Sequence, residues 1–266
     1  MVFVFDLDGT LLKKDNTISP NMVALIKRLD KNNHRIVFAS GRMLISIRKI
    51  VEKYFQKMFP IIAYNGAMVF IPNKGIIFEK TLDFQTSKEI IELLRNKNIH
   101  RQAYINDELF SEEDNENIKF YSRHAGVEYK VVEDLIELIK HKNSTKLLAI
   151  DSPMKLDKLK EELENLNLNA EIFKSMNIFL DIVPKDVNKA IALKYLLKTL
   201  KAEHEKLIVF GDNHNDIPLF KFADFSIAVG NAVTELKKIA DFVSKTNDED
   251  GVYYALTEKF PEFLKE

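Results

Sequence analysis

The sequence predicts an α/β fold, with a parallel-sheet core built from both ends of the chain and an inserted α+β unit over residues 83–186. Three observations predict it. Runs of consecutive apolar residues, such as Val2-Phe3-Val4-Phe5 and Leu207-Ile208-Val209-Phe210, read as strands buried on both faces, as parallel sheets require. In the first and last thirds these runs alternate with helical segments, the pattern of βαβ units. The middle third has closely spaced short strands and helices instead, which suits a unit built on an antiparallel sheet.

Taken in order, Val2-Phe3-Val4-Phe5 opens the core and runs directly into Asp6-Leu7-Asp8-Gly9-Thr10. Ser19-Pro20 reads as an N-cap with proline at the first helical position. Met22, Leu25, Ile26 and Leu29 then recur at i, i+3, i+4, i+7 and give that helix one apolar face. Arg35-Ile36-Val37-Phe38-Ala39 is a second buried strand ending in Ser40-Gly41-Arg42, and a helix is expected over residues 44–55. Ile61-Ile62-Ala63-Tyr64 is a third strand, ending in Asn65-Gly66; residues 68–71 and 76–78 flank Pro72-Asn73-Lys74-Gly75 as a hairpin.

In the inserted unit, Thr86-Ser87-Lys88-Glu89 has capping-box spacing and is expected to open a helix through Leu94. Strands near 101–105, 146–150, 170–173 and 178–182 and a helix over 153–166 follow. The crossings are set at Leu82-Asp83-Phe84 and Val183-Pro184-Lys185, leaving residues 1–82 and 187–266 as the core. A helix expected from about Asp186 carries Leu193, Leu196, Leu197 and Leu200 on its apolar side. Leu207-Ile208-Val209-Phe210 ends in Gly211-Asp212, and a last strand is expected over 225–229.

Composition narrows the function classes. Of 266 residues, 39 are Lys or Arg and 40 are Asp or Glu, a net charge of -1, which argues against bulk electrostatic binding of nucleic acid or anionic membrane. No cysteine is present, which excludes disulfides, thiolate chemistry and Cys-ligated zinc. No apolar run reaches the ~18 residues of a membrane-spanning helix, and no basic-then-apolar leader precedes the first strand. The expectation is a cytoplasmic protein, monomer or weak homodimer, with neither nucleic-acid nor membrane partners.

Three buried strands end in residues with chemistry to offer: Asp6, Ser40 and Asp212. In an open parallel sheet, ligands bind beyond the carboxyl ends of the strands, so parallel neighbours would bring these groups into one crevice. Asp6 and Asp8 are two apart and share one side of a continuing strand. Such a pair repels and raises a pKa unless a cation intervenes, and Mg2+ is held by one or two carboxylates together with waters and substrate phosphate. Taken alone, the stretch also fits a polar turn with Asp-Gly at its corner.

Lys189, in the first turn of a helix, opposes the helix dipole by ~0.3–1 kcal/mol. It is a surface lysine unless Asp6 and Asp212 lie opposite it. Gly211-Asp212-Asn213-His214-Asn215-Asp216 could be an N-cap, yet two acids and two amides in six residues exceed what one cap needs. Arg42 is open between approaching a phosphate and pairing with an acid, and Asn65-Gly66 fits a turn. His34, His100, His124 and His141 show no metal-ligand spacing. Arg101, Tyr104 and His124 could read a substrate, with packing or surface roles as the plainer alternative.

Together these residues resemble the haloacid dehalogenase-like superfamily. Asp6-Leu7-Asp8-Gly9-Thr10 is similar to its first motif, Ser40 to its second, Lys189 to its third, and the run from Gly211 to Asp216 to its fourth, in the family's order. The long insertion between the second and third motifs, with Asn65-Gly66 and Gly230-Asn231-Ala232, resembles the Cof-like subfamily, which has a Rossmann-like core and a large α/β cap. Ala190 stands where the family often has glycine, and His214 fills a variable slot.

The resemblance implies an Mg2+-dependent phosphatase acting on small phosphorylated metabolites, sugar phosphates foremost, through an aspartyl phosphate. It makes Asp6 the nucleophile and Asp8 the acid–base group. The ion would be held by Asp6, the backbone carbonyl of Asp8, and Asp212. Thr10 and Ser40 would donate to phosphoryl oxygens or orient Asp8. Gly41, Asn65, Lys189 and Asn215 would also face phosphate or substrate, with Asp216 in support near the metal or Lys189. Phosphoryl transfer to another sugar hydroxyl, and binding of a phosphometabolite without turnover, remain open at this point.

Overall fold

Strand β1, Val2–Phe5, lies inside its sheet with all four side chains buried, as a run without polar residues demands. The structure is a computed structural model and describes residues 1–264. The chain divides into two units, Met1–Ile77 together with the described residues from Asn188 onward, and Phe78–Val187.

In the first unit β1 is followed by α1 (Pro20–Lys31), β2 (Arg35–Ala39), α2 (Leu44–Phe55), β3 (Ile61–Ala63) and β4 (Met68–Ile71); β5 (Gly75–Glu79) begins in this unit and runs past its end at Ile77. Helix α1 starts where its signals lie: Ser19 accepts from the Met22 amide, Pro20 opens the first turn, and Met22, Leu25, Ile26 and Leu29 are buried.

The second unit holds α3 (Phe84–Asn96), β6 (His100–Ile105), β7 (Glu108–Ser111), α4 (Glu116–Ala125), β8 (Tyr129–Val131), α5 (Leu135–His141), β9 (Lys146–Ile150), α6 (Pro153–Asn165), β10 (Ala170–Met176) and β11 (Phe179–Pro184). Its sheet runs β10-β11-β9-β6-β7-β8, antiparallel except for the parallel β7–β8 pair. Residues just beyond Ile77 pack with this unit: Leu82 is buried in its core and donates to the Ser144 carbonyl, and Glu79 accepts from Thr145. Helix α3 begins two residues before Thr86, because Asp83 caps it and accepts from the Thr86 amide at 2.8 Å. The Thr86-Ser87-Lys88-Glu89 stretch lies inside the helix and is not its cap. Arg101 pairs with Glu112, Tyr104 is buried and accepts from Gln102, and His124 packs on Phe120 and Phe179.

The chain returns to the first unit through α7 (Lys189–Leu200), β12 (Leu207–Gly211), α8 (Ile217–Phe220), β13 (Phe225–Ala228), α9 (Thr234–Ile239), β14 (Phe242–Val243) and α10 (Gly251–Lys259). Helix α7 starts at Lys189, later than the Asp186 start expected from sequence. Asp186 has a left-handed φ of 56° that no helix accepts, and Asn188 caps instead, accepting from the Ile191 amide at 2.9 Å. The sheet order among described residues is β14-β13-β12-β1-β2-β3-β4-β5. Pairing is parallel from β14 to β3, and β4 runs antiparallel to β3. Phe5 stacks on Phe210 at 4.9 Å and lies 6.2 Å from Phe38, tying the three central strands together. No helix among the described residues is long and apolar enough to cross a membrane.

Candidate active site

Register brings the polar strand ends together. Phe5 is level with Phe38 on one side and Phe210 on the other, so Asp6, Ser40 and Asp212 leave three adjacent parallel strands at nearly one height. This is the carboxyl-end crevice of an open α/β sheet. All the residues described below belong to the first unit.

Lys189 is the centre of charge. Its side chain is wholly buried, and Nζ donates to Asp6 Oδ1 at 2.6 Å and to Asp216 Oδ1 at 2.7 Å. Burial alone would push this amine down; Asp216 and Asp6 outweigh that and hold it above the ordinary lysine value. The surface-lysine reading is therefore excluded. Helix α7 delivers the amine because its first turn sits against Gly66: a Cβ there would lie 2.3 Å from the Asn188 carbonyl oxygen, and φ is 106°.

The carboxylates outnumber that one ammonium. Oxygens of Asp6, Asp212 and Asp216 lie within 4.8 Å of one another. Burial lifts the Asp6 carboxyl well above its usual range; Lys189 opposes the lift, and Asp216 and Asp212 add to it. The Asp212 carboxyl is pushed up to about 6, first by burial and then by Asp216, against Lys189 and Thr10. Asp216 has both oxygens engaged, Oδ1 by Lys189 and Oδ2 by the amides of Asp212 and Asn213.

Thr10 donates to Asp212 Oδ1 at 3.1 Å. Its hydroxyl thus orients a carboxylate on a neighbouring strand, where the sequence reading gave it a phosphoryl oxygen or Asp8. The loop that carries it is pinned by Asn231, which donates to the Gly9 carbonyl at 2.7 Å, and by Asn247, which donates to the Leu12 carbonyl at 2.8 Å. Gly9 is required there: its φ is 75°, and a Cβ would lie 2.4 Å from Asp212 Oδ2.

Asp8 stands apart from the triad, with its side chain half exposed and gripped by Arg42. The Ser40 hydroxyl reaches Asp8 Oδ2 at 3.4 Å and accepts from the Arg42 amide at 3.2 Å. Of the two roles open to Arg42, pairing with an acid is the one observed. The stretch after β3 is strained: Tyr64 and Asn65 both take left-handed φ, 52° and 56°, costly for a buried tyrosine and typical of functional sites. Tyr64 and Asn65 donate their amides to the carbonyls of Arg42 and Ser40. This is more than a simple turn, because it seats the Asn65 side chain against Gly41 and lets it accept from Asn215 Nδ2 at 2.9 Å. Asn215 Oδ1 is buried without a hydrogen-bond partner, an unmet acceptor.

Sequence reasoning missed Asn188, Asn16, which accepts from Arg42 Nη2 at 3.2 Å, and Asn247. Asn188 had a usable signal, a capping residue directly before Lys189; the other two had none.

Comparisons with known proteins identify the family and the fold. A family model described as haloacid dehalogenase-like hydrolase matches residues 3–256. The crystal structure of TM0651 from Thermotoga maritima has a TM-score of 0.90 and 45% identity, covering 97% of this chain and 96% of that one. Bacillus subtilis YitU is 28% identical over 97% of each chain, and B. subtilis YwtE is 30% identical over 94% of each. Both are named 5-amino-6-(5-phospho-D-ribitylamino)uracil phosphatases.

Proposed function

We infer the reaction of this chain from the family to which it belongs, the haloacid dehalogenase-like hydrolases. It is a phosphatase, and its proposed reaction is hydrolysis of small phosphorylated metabolites through a phosphorylated Asp6. The observation that carries this reading is the buried Lys189 bridging Asp6 and Asp216 beside Asp212. A nucleophilic carboxylate with fixed positive charge at its side is what attack on an anionic phosphate needs.

An Asp6 oxygen forms a bond to phosphorus as the ester P–O bond breaks, and Asp8 gives its proton to the departing alkoxide. Water then attacks the phosphorus, Asp8 takes the water's proton, and phosphate leaves Asp6 free. Lys189 stays charged throughout and opposes the negative charge of the phosphoryl group. Ser40 orients Asp8, Thr10 orients Asp212, and Asp216 holds Lys189. Asn65, Asn215 and the Gly41 backbone would face the phosphate or its alcohol.

The donor set fits a hard divalent cation: every candidate ligand is an oxygen, and the buried acids carry more negative charge than Lys189 offsets. Asp6, Asp212 and the Asp8 carbonyl would hold Mg2+, Asp216 being already engaged. When bound, the ion supplies positive charge between two anions that must meet.

Thermal unfolding tests this without turnover. A raised carboxyl binds its proton more tightly in the folded protein, so stability falls as pH rises from the ordinary carboxylate range to beyond about 6. Mg2+ is expected to raise the melting temperature more at about pH 8 than at about pH 5, where protons compete for its ligands. An Mg2+ effect that is absent, or larger at the acidic pH, rules this site out.

The relatives' named substrate carries its phosphate on a ribityl chain, and a primary phosphate ester on a polyhydroxylated chain is the proposed class here. The test is a panel of sugar and sugar-alcohol phosphates with Mg2+ and no other acceptor. Free phosphate is expected, and EDTA should abolish its release. Turnover only when a sugar acceptor is added points to phosphoryl transfer. Binding of panel members without release points to a non-catalytic protein.

A further inference from the structure

We propose that Arg42 is the positioning residue for Asp8, fixing its carboxylate where it passes a proton to the leaving oxygen. This rests on the acid–base assignment of Asp8 made above. The side chain of Asp8 is 50% exposed on the loop after β1, whereas that of Arg42 is 17% exposed. A carboxylate on an open loop samples several rotamers, and proton transfer to an oxygen as its P–O bond breaks tolerates little misplacement.

Arg42 removes that freedom. Its Nε donates to Asp8 Oδ2 at 2.8 Å and to Oδ1 at 3.0 Å, and Nη2 donates to Oδ1 at 2.5 Å. This is the planar two-pronged grip that arginine alone provides. The fork is itself built in. Nη2 also donates to Asn16 Oδ1 at 3.2 Å and Nη1 to Ser46 Oγ at 3.5 Å. Its backbone amide donates to Ser40 Oγ, and its carbonyl accepts from the strained Tyr64.

Ion pairs this exposed contribute little to stability. So many anchors on one arginine therefore serve orientation. They also run through Ser40 and Tyr64, so the two loops that frame the crevice share one rigid attachment to Asp8.

The test uses two aryl phosphates with Mg2+: phenyl phosphate, whose leaving group needs a proton, and p-nitrophenyl phosphate, whose leaving group does not. Arg42→Met is expected to lower kcat/KM for phenyl phosphate at least about 10-fold more than for p-nitrophenyl phosphate. Asp8→Asn should show the same selectivity at larger size. Arg42→Lys keeps the charge but not the fork and should fall between parent and Arg42→Met. It carries the test alone if Arg42→Met does not fold.

A structural lesion lowers both substrates together. Equal loss on the two, no loss, or a gain in rate overturns the inference. If Asp8→Asn is selective and the Arg42 variants are not, only the role of Arg42 falls. If Asp8→Asn is also unselective, the acid–base assignment falls with it.

Discussion

Asp6→Asn is expected to stop phosphate release while leaving the protein folded. The amide has the size of the carboxylate, yet it cannot supply an anionic oxygen to phosphorus, so turnover should drop at least ~1,000-fold. The fold should survive because β1 is held by its own buried residues, Val2 to Phe5, and by pairing to β2 and β12. Lys189 would keep Asp216 as an anionic partner, and the neutral amide removes a carboxylate that burial already disfavours. Phosphate release and thermal unfolding, measured side by side on parent and variant, check both halves. A variant retaining a tenth of parental turnover would remove Asp6 from the role of nucleophile; complete unfolding would mean that its carboxylate is structural first.

The features that sequence made legible were those with local causes. The apolar runs ending at Phe5, Phe38 and Phe210 have no other stable place than a two-sided parallel sheet, and polar residues directly after them must lie at its edge. Ser19-Pro20 set the start of α1 through a bond three residues long. Where two residues could do the same local job, the signal was ambiguous. Asp83 and Thr86 can both cap a helix, as can Asp186 and Asn188. In the second case the choice is settled by Gly66 packing against the Asn188 carbonyl, a contact that no nearby spacing encodes.

The same limit explains the site. Thr10 meets Asp212 across 202 positions, Arg42 meets Asp8 across 34, and Asn247 meets Leu12 across 235. Residue type shows that such groups need partners, and only tertiary structure says which ones: the register of β1, β2 and β12 for Thr10 and Arg42, and the path of the chain beyond β14 for Asn247. Helix α4 was not foreseen because Ile118 and Tyr121 are its only buried residues, too few to show a helical period in a charged stretch.

Lys189→Met is expected to cost the most stability of any single change at the site. The amine is wholly buried and donates to two carboxylates, and breaking such a buried arrangement from one side typically costs ~3–5 kcal/mol, because the charges left behind have no solvent. Methionine fills similar volume, so lost packing contributes little, and the remaining deficit is electrostatic. That origin gives the variant a signature. With Lys189 gone, Asp6 loses the cation that opposes its burial, and Asp212 keeps only hydrogen bonding, from Thr10 foremost, against its own. Their folded-state carboxyls should hold protons to higher pH than in the parent, and a folded carboxyl raised above its unfolded value loses stability as pH rises through the window between the two. The variant should therefore be closest to parental stability near about pH 4, where these acids are protonated, and fall furthest behind by about pH 8. Mg2+ binds the folded state and supplies the missing charge, so it should restore more unfolding free energy to the variant than it adds to the parent. Urea unfolding across pH, with and without Mg2+, measures all of this. A deficit that is independent of pH and untouched by Mg2+ would assign Lys189 to packing, and phosphate release unchanged in the variant would take the lysine out of the mechanism, since fixed positive charge beside Asp6 is the one contribution that no neighbouring side chain described here can replace.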